Sequence, residues 1–436
     1  MSFEQASKVE DHRLVVVGGG VAGLDIATHL AGRQAGARRL HVTLVDRDTA
    51  YVWKPMLHTI AAGTSEAGAQ QTVYAAQARG AGFSFQPGEA IAIDRDNNQV
   101  CLAPLRIGNE DIVPARAIRY DTLVLAVGSR ANDFGTPGVA EHCATIDLRT
   151  EAIGFNDRLR VHQLKAAVAG QTLTIGIVGG GATGVELAAA LIQSGAIAQT
   201  YGVEGARERL RIVLIESGAR ILGPFPQHVA DAARAKLEQL GVTVRTGARV
   251  ASVDATGFHL ADGEMISADL KVWAAGVKAP ALLDTLAGLE RTRSGQLVVG
   301  ATLATAADPH IYAVGDCASP VLPGRSAPVP TTAQAAHQFS LYLCKHLPDL
   351  IAGKSAPAAS YHDFGSIVSL GGYDAFGSLG RFGFFDGGFI RGRVAQLGHA
   401  LLYRSYQARL HGLWRGSLLW LADTLARRVK PEARLS

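Results

Sequence analysis

The chain has no two cysteines close together. Cys101, Cys143, Cys317 and Cys344 are scattered and form no C-x-x-C. That excludes a disulfide scaffold or a paired redox motif and predicts reduced, structural thiols. No group of His, Cys and acidic residues shows metal-ligand spacing in the sequence, so no metal is expected. Long apolar runs are also missing. No window approaches the roughly 20 residues of a spanning helix. Residues 1–13 carry no apolar signal core, which predicts a protein that stays in the cytosol. Charge is sparse as well: charged residues make up 18%, and the net charge of +4 is too small to argue for nucleic acid. The 48% of hydrophobic residues is high for a soluble enzyme. A chain of 436 residues allows two or three domains.

What is present is a glycine-rich turn, twice. Val15-Val16-Val17-Gly18-Gly19-Gly20-Val21-Ala22-Gly23 and Ile175-Gly176-Ile177-Val178-Gly179-Gly180-Gly181-Ala182-Thr183-Gly184 each follow an apolar β-branched run and lead into a helix-like segment. In that setting G-x-G-x-x-G reads as a dinucleotide turn. Gly18 and Gly179 make the turn, Gly20 and Gly181 leave room for pyrophosphate, and Gly23 and Gly184 let helix and strand pack closely. One copy alone could be an ordinary strand–helix turn. Two copies predict two dinucleotides on one chain, with electrons passing from one to the other.

The expected fold is α/β, with two Rossmann-like dinucleotide-binding domains in a nested order. Strands are expected at 13–18, 40–46 and 121–129, with a helix at 22–32. A second unit starts near Thr172, carries a polar insert from Gly202 to Arg209, and has strands ending at Glu216 and Gly276. Ile311 to Asp316 then closes the first core. The expected boundaries are 1–165 and 286–354 for an FAD domain, 166–285 for an inserted NADH domain, and 355–436 for a C-terminal region.

Each first strand–helix unit is followed by a strand ending in an acid. Asp46 lies close to the roughly 20-residue offset of a ribose-binding carboxylate. Glu216 lies farther from its turn, and the insert accounts for the excess. Glu216 would accept from both ribose hydroxyls and repel a 2′-phosphate, which favours NADH over NADPH. Ser217 is neutral, and the nearest arginine is Arg220. Val314-Gly315-Asp316-Cys317-Ala318 follows a buried strand. Gly315 and Asp316 there can grip the ribityl and phosphate part of FAD, with Cys317 as a packing residue.

Further motifs carry a resemblance. They are Trp53-Lys54-Pro55 with His58, Gly181 to Leu187, Trp273-Ala274-Ala275-Gly276-Val277-Lys278-Ala279-Pro280, and Ala333-Gln334-Ala335-Ala336-His337-Gln338. With the two glycine turns and Gly315-Asp316, they resemble the type II NADH:quinone oxidoreductases, single-chain respiratory dehydrogenases that do not pump protons. The likeness runs from about residue 12 to the end and is strongest to the proteobacterial branch. It implies a glutathione-reductase-like tandem, FAD and NADH as cofactors, a membrane quinone as acceptor, and a homodimer. It adds Ala22, Lys54, Pro55, Gly128, Thr183, Ala275, Gly276 and Ala333 to the cofactor-binding residues. It places Gln334 and Gln338 by the flavin at the quinone site and Glu186 near the nicotinamide. Glu186 could equally be an acid favoured at a helix start. Where some members carry a lysine, this chain has Phe364 in His362-Asp363-Phe364-Gly365-Ser366, so a mechanism needing an ammonium does not carry over. His58, His337 and His362 remain as proton sources or structural histidines.

At the C-terminus, Leu410, Leu413, Trp414, Leu418, Leu421 and Leu425 fall on one helical face, and Arg409, His411, Arg415, Asp423 and Arg427 on the other. Arg404, Arg427, Arg428 and Lys430 add positive charge suited to anionic lipid. A helix in the membrane interface is expected, on the cytoplasmic face of the inner membrane. A helix packed on the catalytic domains or a second subunit is the plainer alternative. Rival readings of the whole chain are a disulfide or sulfide:quinone reductase, a reductase of a soluble electron-transfer protein, and an NADH sensor. The first needs paired reactive cysteines.

Overall fold

A computed structural model describes residues 11–66, 68, 71–200, 205–325, 328–371, 373–379, 389–392, 401 and 404–429. The described residues fall into two compact units. One draws on Met1–Tyr51, Gln71–Arg130 and Lys278–His362, the other on Val52–Gln70, Ala131–Val277 and Asp363–Ser436.

The first unit is built on a mostly parallel sheet. Its central strand Asp11–Val17 pairs on one side with Arg38–Asp46 and on the other with Thr122–Leu125, which pairs in turn with Ile311–Ala313. Ser84–Pro87 extends the sheet beyond Arg38–Asp46. Leu14 to Val17 are at most 3% exposed, because helices cover both faces of such a sheet and continuous apolar runs satisfy both. The helix Val21–Leu30 follows the glycine turn and packs against the helix Ala333–Ile351. It stops two residues short of the expected end, because Gly32 takes φ +70 and its N–H bonds back to Leu40. A three-stranded antiparallel sheet, Ala90–Asp94, Gln99–Leu102 and Arg116–Arg119, was not expected from the sequence.

The second unit repeats the plan. Its parallel sheet runs Val242–Arg245, Leu210–Ile215, Leu173–Val178, Leu270–Trp273. The helix Ala182–Thr200 follows the glycine turn, and Gln227–Gln239 precedes the edge strand. The last sheet strand ends at Trp273, short of Gly276, whose φ is +61. By contact, the helix Arg149–Ala169 and the described residues from Asp363 onward belong to this unit. The latter form an antiparallel sheet, Gly365–Ser369, Ala375–Leu379 and Phe389–Arg391, and a terminal helix Leu413–Val429. Residues 201–204, which include the start of the expected polar insert, lie outside the described residues.

One expectation fails at the C-terminus. Leu410 is not on the exposed apolar face; it is 6% exposed, inside the second unit. Gly412 takes φ +80 and breaks the helix, so the wheel drawn across it does not hold. Beyond the break, Trp414, Leu418, Leu421 and Leu425 are exposed on successive turns of one helix. Lys430 and the side chains of Leu413, Asp423, Arg427 and Arg428 lie outside the described residues. No described helix is long and apolar enough to cross a membrane.

Candidate functional site

The two glycine turns are built alike. Gly18 has φ +100 and Gly179 φ +111, conformations that side chains disfavour. A Cβ on Gly18 would meet the Ala126 carbonyl oxygen at 2.3 Å, and one on Gly179 the Ala274 carbonyl at 2.6 Å. The third glycine of each motif is tighter still. A Cβ on Gly23 would sit 1.8 Å from the Gly18 oxygen, and one on Gly184 2.0 Å from the Gly179 oxygen. The middle positions Gly20 and Gly181 differ: a Cβ there meets nothing within 4 Å. Both therefore open onto space beside a helix N-terminus, where oriented peptide dipoles favour a phosphate. This cradle fits a dinucleotide pyrophosphate in each unit. Ala22 is buried behind the first turn, and Thr183 is exposed on the second. The strand opposite each turn ends alike, with Gly128 at φ +68 and Gly276, after Ala275, at φ +61.

Each acid holds its own turn. Asp46 Oδ2 accepts from the Gly19 N–H at 2.6 Å, and its Oδ1 from the Asp48 N–H at 2.8 Å. Burial pushes the Asp46 carboxyl up, and those two N–H groups pull it partly back. Glu216 Oε2 accepts from the Gly180 N–H at 2.7 Å, and Oε1 from the Gly218 N–H at 2.6 Å. Arg220 does not reach toward this acid as a phosphate clamp would. Its guanidinium donates to the Phe225 and Gly223 carbonyls at 2.8 and 2.6 Å.

Sequence reasoning missed several supports. Tyr74 donates its hydroxyl to the Gly19 carbonyl at 2.9 Å, and its ring fills the space that a Gly19 Cβ would need. Nothing in the local sequence pairs those positions. Ser129 donates to Asp316 Oδ2 at 2.8 Å, and the Gln296 amide donates to the Asp316 and Ala318 carbonyls at 3.0 and 3.2 Å. These bonds fix the Gly315 turn, where φ is +79. Thr332 caps the helix Ala333–Ile351 by accepting from the Ala335 N–H at 3.2 Å. A small cavity lined by Gly315, Ala318, Thr332, Ala335 and Phe339 separates that helix start from the Gly315 turn. Ala333 and Gln334 lie in the first helical turn, at its positive end.

Gln338 sits one turn on from Gln334, with both ends of its amide engaged. Nε2 donates to the His362 carbonyl at 2.8 Å, and Oε1 accepts from the His362 N–H at 2.9 Å. Glu186 lies in the other unit, 7% exposed, near the start of the helix Ala182–Thr200. Its Oε1 accepts from the Ser369 N–H at 2.9 Å, and its Oε2 lies 3.6 Å from His58 Nδ1, itself on a buried side chain. Burial pushes the Glu186 carboxyl up to about 8, and the Ser369 bond offsets only part of that. Near neutral pH the group carries its proton. Lys54 and Pro55 fall in the same unit, in the short helix Lys54–Met56 just before His58.

The thiols do not form a redox pair. All four cysteines are free. Burial pushes Cys317 up to about 11 and Cys143 up to about 12, so neither is a thiolate at neutral pH.

Comparison with known proteins agrees with this construction. The pyridine nucleotide-disulphide oxidoreductase family model matches residues 12–339. The chain is 37% identical to a type II NADH:quinone oxidoreductase from Haemophilus influenzae, over 97% of this chain and 99% of the relative. It is 26% identical to the Staphylococcus aureus enzyme of the same name, over 84% of this chain and 89% of that one. Among solved structures, NDH2 from Plasmodium falciparum superposes with a TM-score of 0.81 at 17% identity, covering 98% of this chain and 100% of that one. The sulfide:quinone oxidoreductase of Aquifex aeolicus shares the fold at a TM-score of 0.71 and 17% identity, over 92% of each chain. The chain belongs to the pyridine nucleotide-disulphide oxidoreductase family and, within it, to the type II NADH:quinone oxidoreductases.

Proposed function

We propose that this chain oxidises NADH and reduces a membrane quinone by two electrons, without pumping protons. The observation that carries the reading is the pair of glycine cradles, each closed by its own acid, in a chain whose cysteines form no pair. Bound FAD would supply the two-electron relay between the substrates, chemistry that belongs to the cofactor. The protein's part is to bind and orient. Gly18, Gly20, Gly23 and Asp46 would hold the FAD pyrophosphate and ribose, and Gly315, Asp316 and the start of the Ala333–Ile351 helix the rest. The positive helix end beside Gln334 would stabilise negative charge arising there. Gly179, Gly181, Gly184 and Glu216 would hold NADH. Glu186, protonated and beside His58, is a buried proton source for the acceptor reaction.

Glu216 is the group that would select NADH. Glu216→Gln keeps an oxygen for the Gly180 N–H and removes the charge. A charged acceptor on a ribose hydroxyl is worth about 1.5–3 kcal/mol. The preference for NADH over NADPH, read as the ratio of kcat/KM values, should fall by roughly 10–100-fold. An unchanged ratio would move the selecting residue elsewhere.

The attachment we propose is peripheral, on the cytoplasmic face of the membrane; the exposed stripe of Trp414, Leu418, Leu421 and Leu425 supports a helix lying in the plane of the headgroups. The family resemblance adds a homodimer through the same region. Each apolar side chain buried in lipid contributes about 1.5–3 kcal/mol. Replacing all four by serine should move the protein from anionic vesicles into the supernatant in a flotation assay. Turnover with a short-chain, water-soluble quinone should persist. A variant that still floats with the vesicles would leave the stripe to a protein partner.

The function itself is tested anaerobically. Purified yellow protein should bleach on adding NADH and regain its colour on adding a quinone. Bleaching without recovery would remove quinone as the acceptor. A colourless protein would remove the flavin.

A further inference from the structure

Asp25, His29 and Cys344 form a cluster at the helix that follows the first glycine turn, beginning two residues past Gly23. Asp25 and His29 stand one turn apart on the helix Val21–Leu30, and Cys344 reaches them from the helix Ala333–Ile351. One ligand atom from each lies within 4.8 Å of the other two. His29 Nδ1 is 3.0 Å from Asp25 Oδ1, and Cys344 Sγ is 3.9 Å from Asp25 Oδ2. Ligands around a tetrahedral ion with bonds of about 2.0–2.3 Å stand roughly 3.3–3.8 Å apart, so these side chains reach that geometry by small shifts. The Asp25 side chain is 0% exposed and Cys344 5%, whereas His29 is 30% exposed and leaves a way in.

We propose that this cluster is a metal site for a borderline-soft divalent cation, with Zn²⁺ as the type. The ligand chemistry points there. Thiolate and imidazole together select such ions over Mg²⁺ or Ca²⁺, which take oxygen ligands. Charge points the same way. A carboxylate and a thiolate neutralise a divalent cation, so the filled site buries no net charge. On binding, the Cys344 S–H bond breaks, a metal–sulfur bond forms, and the proton leaves to solvent. The surroundings hold the ligands in place. The Ser340 hydroxyl lies 2.6 Å from Asp25 Oδ2 and orients the carboxylate, as outer partners of metal ligands do. Arg33 donates to the Cys344 carbonyl at 2.8 Å and fixes the backbone under the thiol. A water would complete the tetrahedron.

The ion would clamp two helices that both begin at the cofactor-binding end of the first unit. One starts at the Gly20 cradle and the other at Thr332. The sequence alone predicts no metal here: Asp25 and His29 are an isolated pair one helical turn apart, and Cys344 comes 319 positions later.

The test uses tag-free holoprotein, stripped with chelator and titrated with Co²⁺. The wild type should bind one ion per chain with a thiolate-to-cobalt charge-transfer band, and Zn²⁺ should displace it. Cys344→Ser should abolish the band while the flavin absorbance per chain stays constant, which reports an intact fold. His29→Ala should weaken Co²⁺ binding at least about 10-fold. That partly exposed position keeps the test decisive even if the serine variant loses its flavin. No band in the wild type, a band surviving in Cys344→Ser, or unchanged affinity in His29→Ala would each overturn the site and leave a hydrogen-bonded helix pin.

Discussion

Gly184→Ala should give a yellow protein that no longer oxidises NADH, and Gly23→Ala a protein that comes out colourless. The added methyl has no freedom to turn away, because a Cβ is fixed by the backbone. It would stand 1.8 Å from the Gly18 oxygen in one case and 2.0 Å from the Gly179 oxygen in the other. Both contacts are with main chain, so no side-chain rotation relieves them. The helix must withdraw from its strand, which places these variants in the tail beyond about 4 kcal/mol that only special sites reach. The two turns belong to different compact units, and the losses should separate accordingly. Gly20→Ala and Gly181→Ala serve as contrasts. Their methyls meet nothing within 4 Å, so the fold should melt as the wild type does while the pyrophosphate is crowded. Flavin content per chain, KM for NADH and thermal melts give the readouts. If Gly23→Ala kept full flavin and an unaltered melt, the close approach of helix and strand would not be needed.

Glu186→Gln should remove a pH dependence of stability. The folded carboxyl is raised to about 8 from an ordinary value of 4.5, so folding takes up a proton. The stabilisation is fully present below the unfolded pKa and is lost as pH rises toward the folded one, levelling off above it. A shift of this size caps the loss at about 5 kcal/mol, and solvent or a charge on His58 would reduce it. Urea or thermal melts should therefore show the wild type weakening relative to the glutamine variant between about pH 5 and 8. The Ser369 N–H can still be accepted by the glutamine oxygen, so the variant loses titration without losing that bond. Parallel pH profiles for the two proteins would mean that Glu186 is ionised at neutral pH, and the proposed proton source would go with it.

Much of the fold was readable from apolar runs and punctuation. The strands at Asp11–Val17, Leu173–Val178 and Leu210–Ile215 carry apolar runs rich in valine, isoleucine and leucine, and the glycine turns after the first two mark their ends. The short antiparallel sheets were not readable, because strands of three to five residues show little period. The cofactor acids were visible as strand ends. Their bonds to Gly19 and Gly180 depend on how each turn folds back, and sequence spacing does not encode that. Long-range pairs were invisible for the same reason. Ser369 meets Glu186 across 183 positions, and Tyr74 meets Gly19 across 55. Gln334 and Gln338 entered through resemblance alone. The structure adds what resemblance did not, a two-point amide bond tying Gln338 to the His362 backbone. The error at Leu410 came from treating the helix as unbroken through a glycine with φ +80.

The tether between Glu216 and the Gly180 N–H constrains how coenzyme choice could drift in descendants of this chain. Trimming the acid away to admit a phosphorylated ribose would also unfasten the loop that grips the coenzyme. An evolutionary route toward NADPH must first install another acceptor at that position, and only then add a cation. Ancestral intermediates along such a route should pass through amide or hydroxyl residues and avoid alanine.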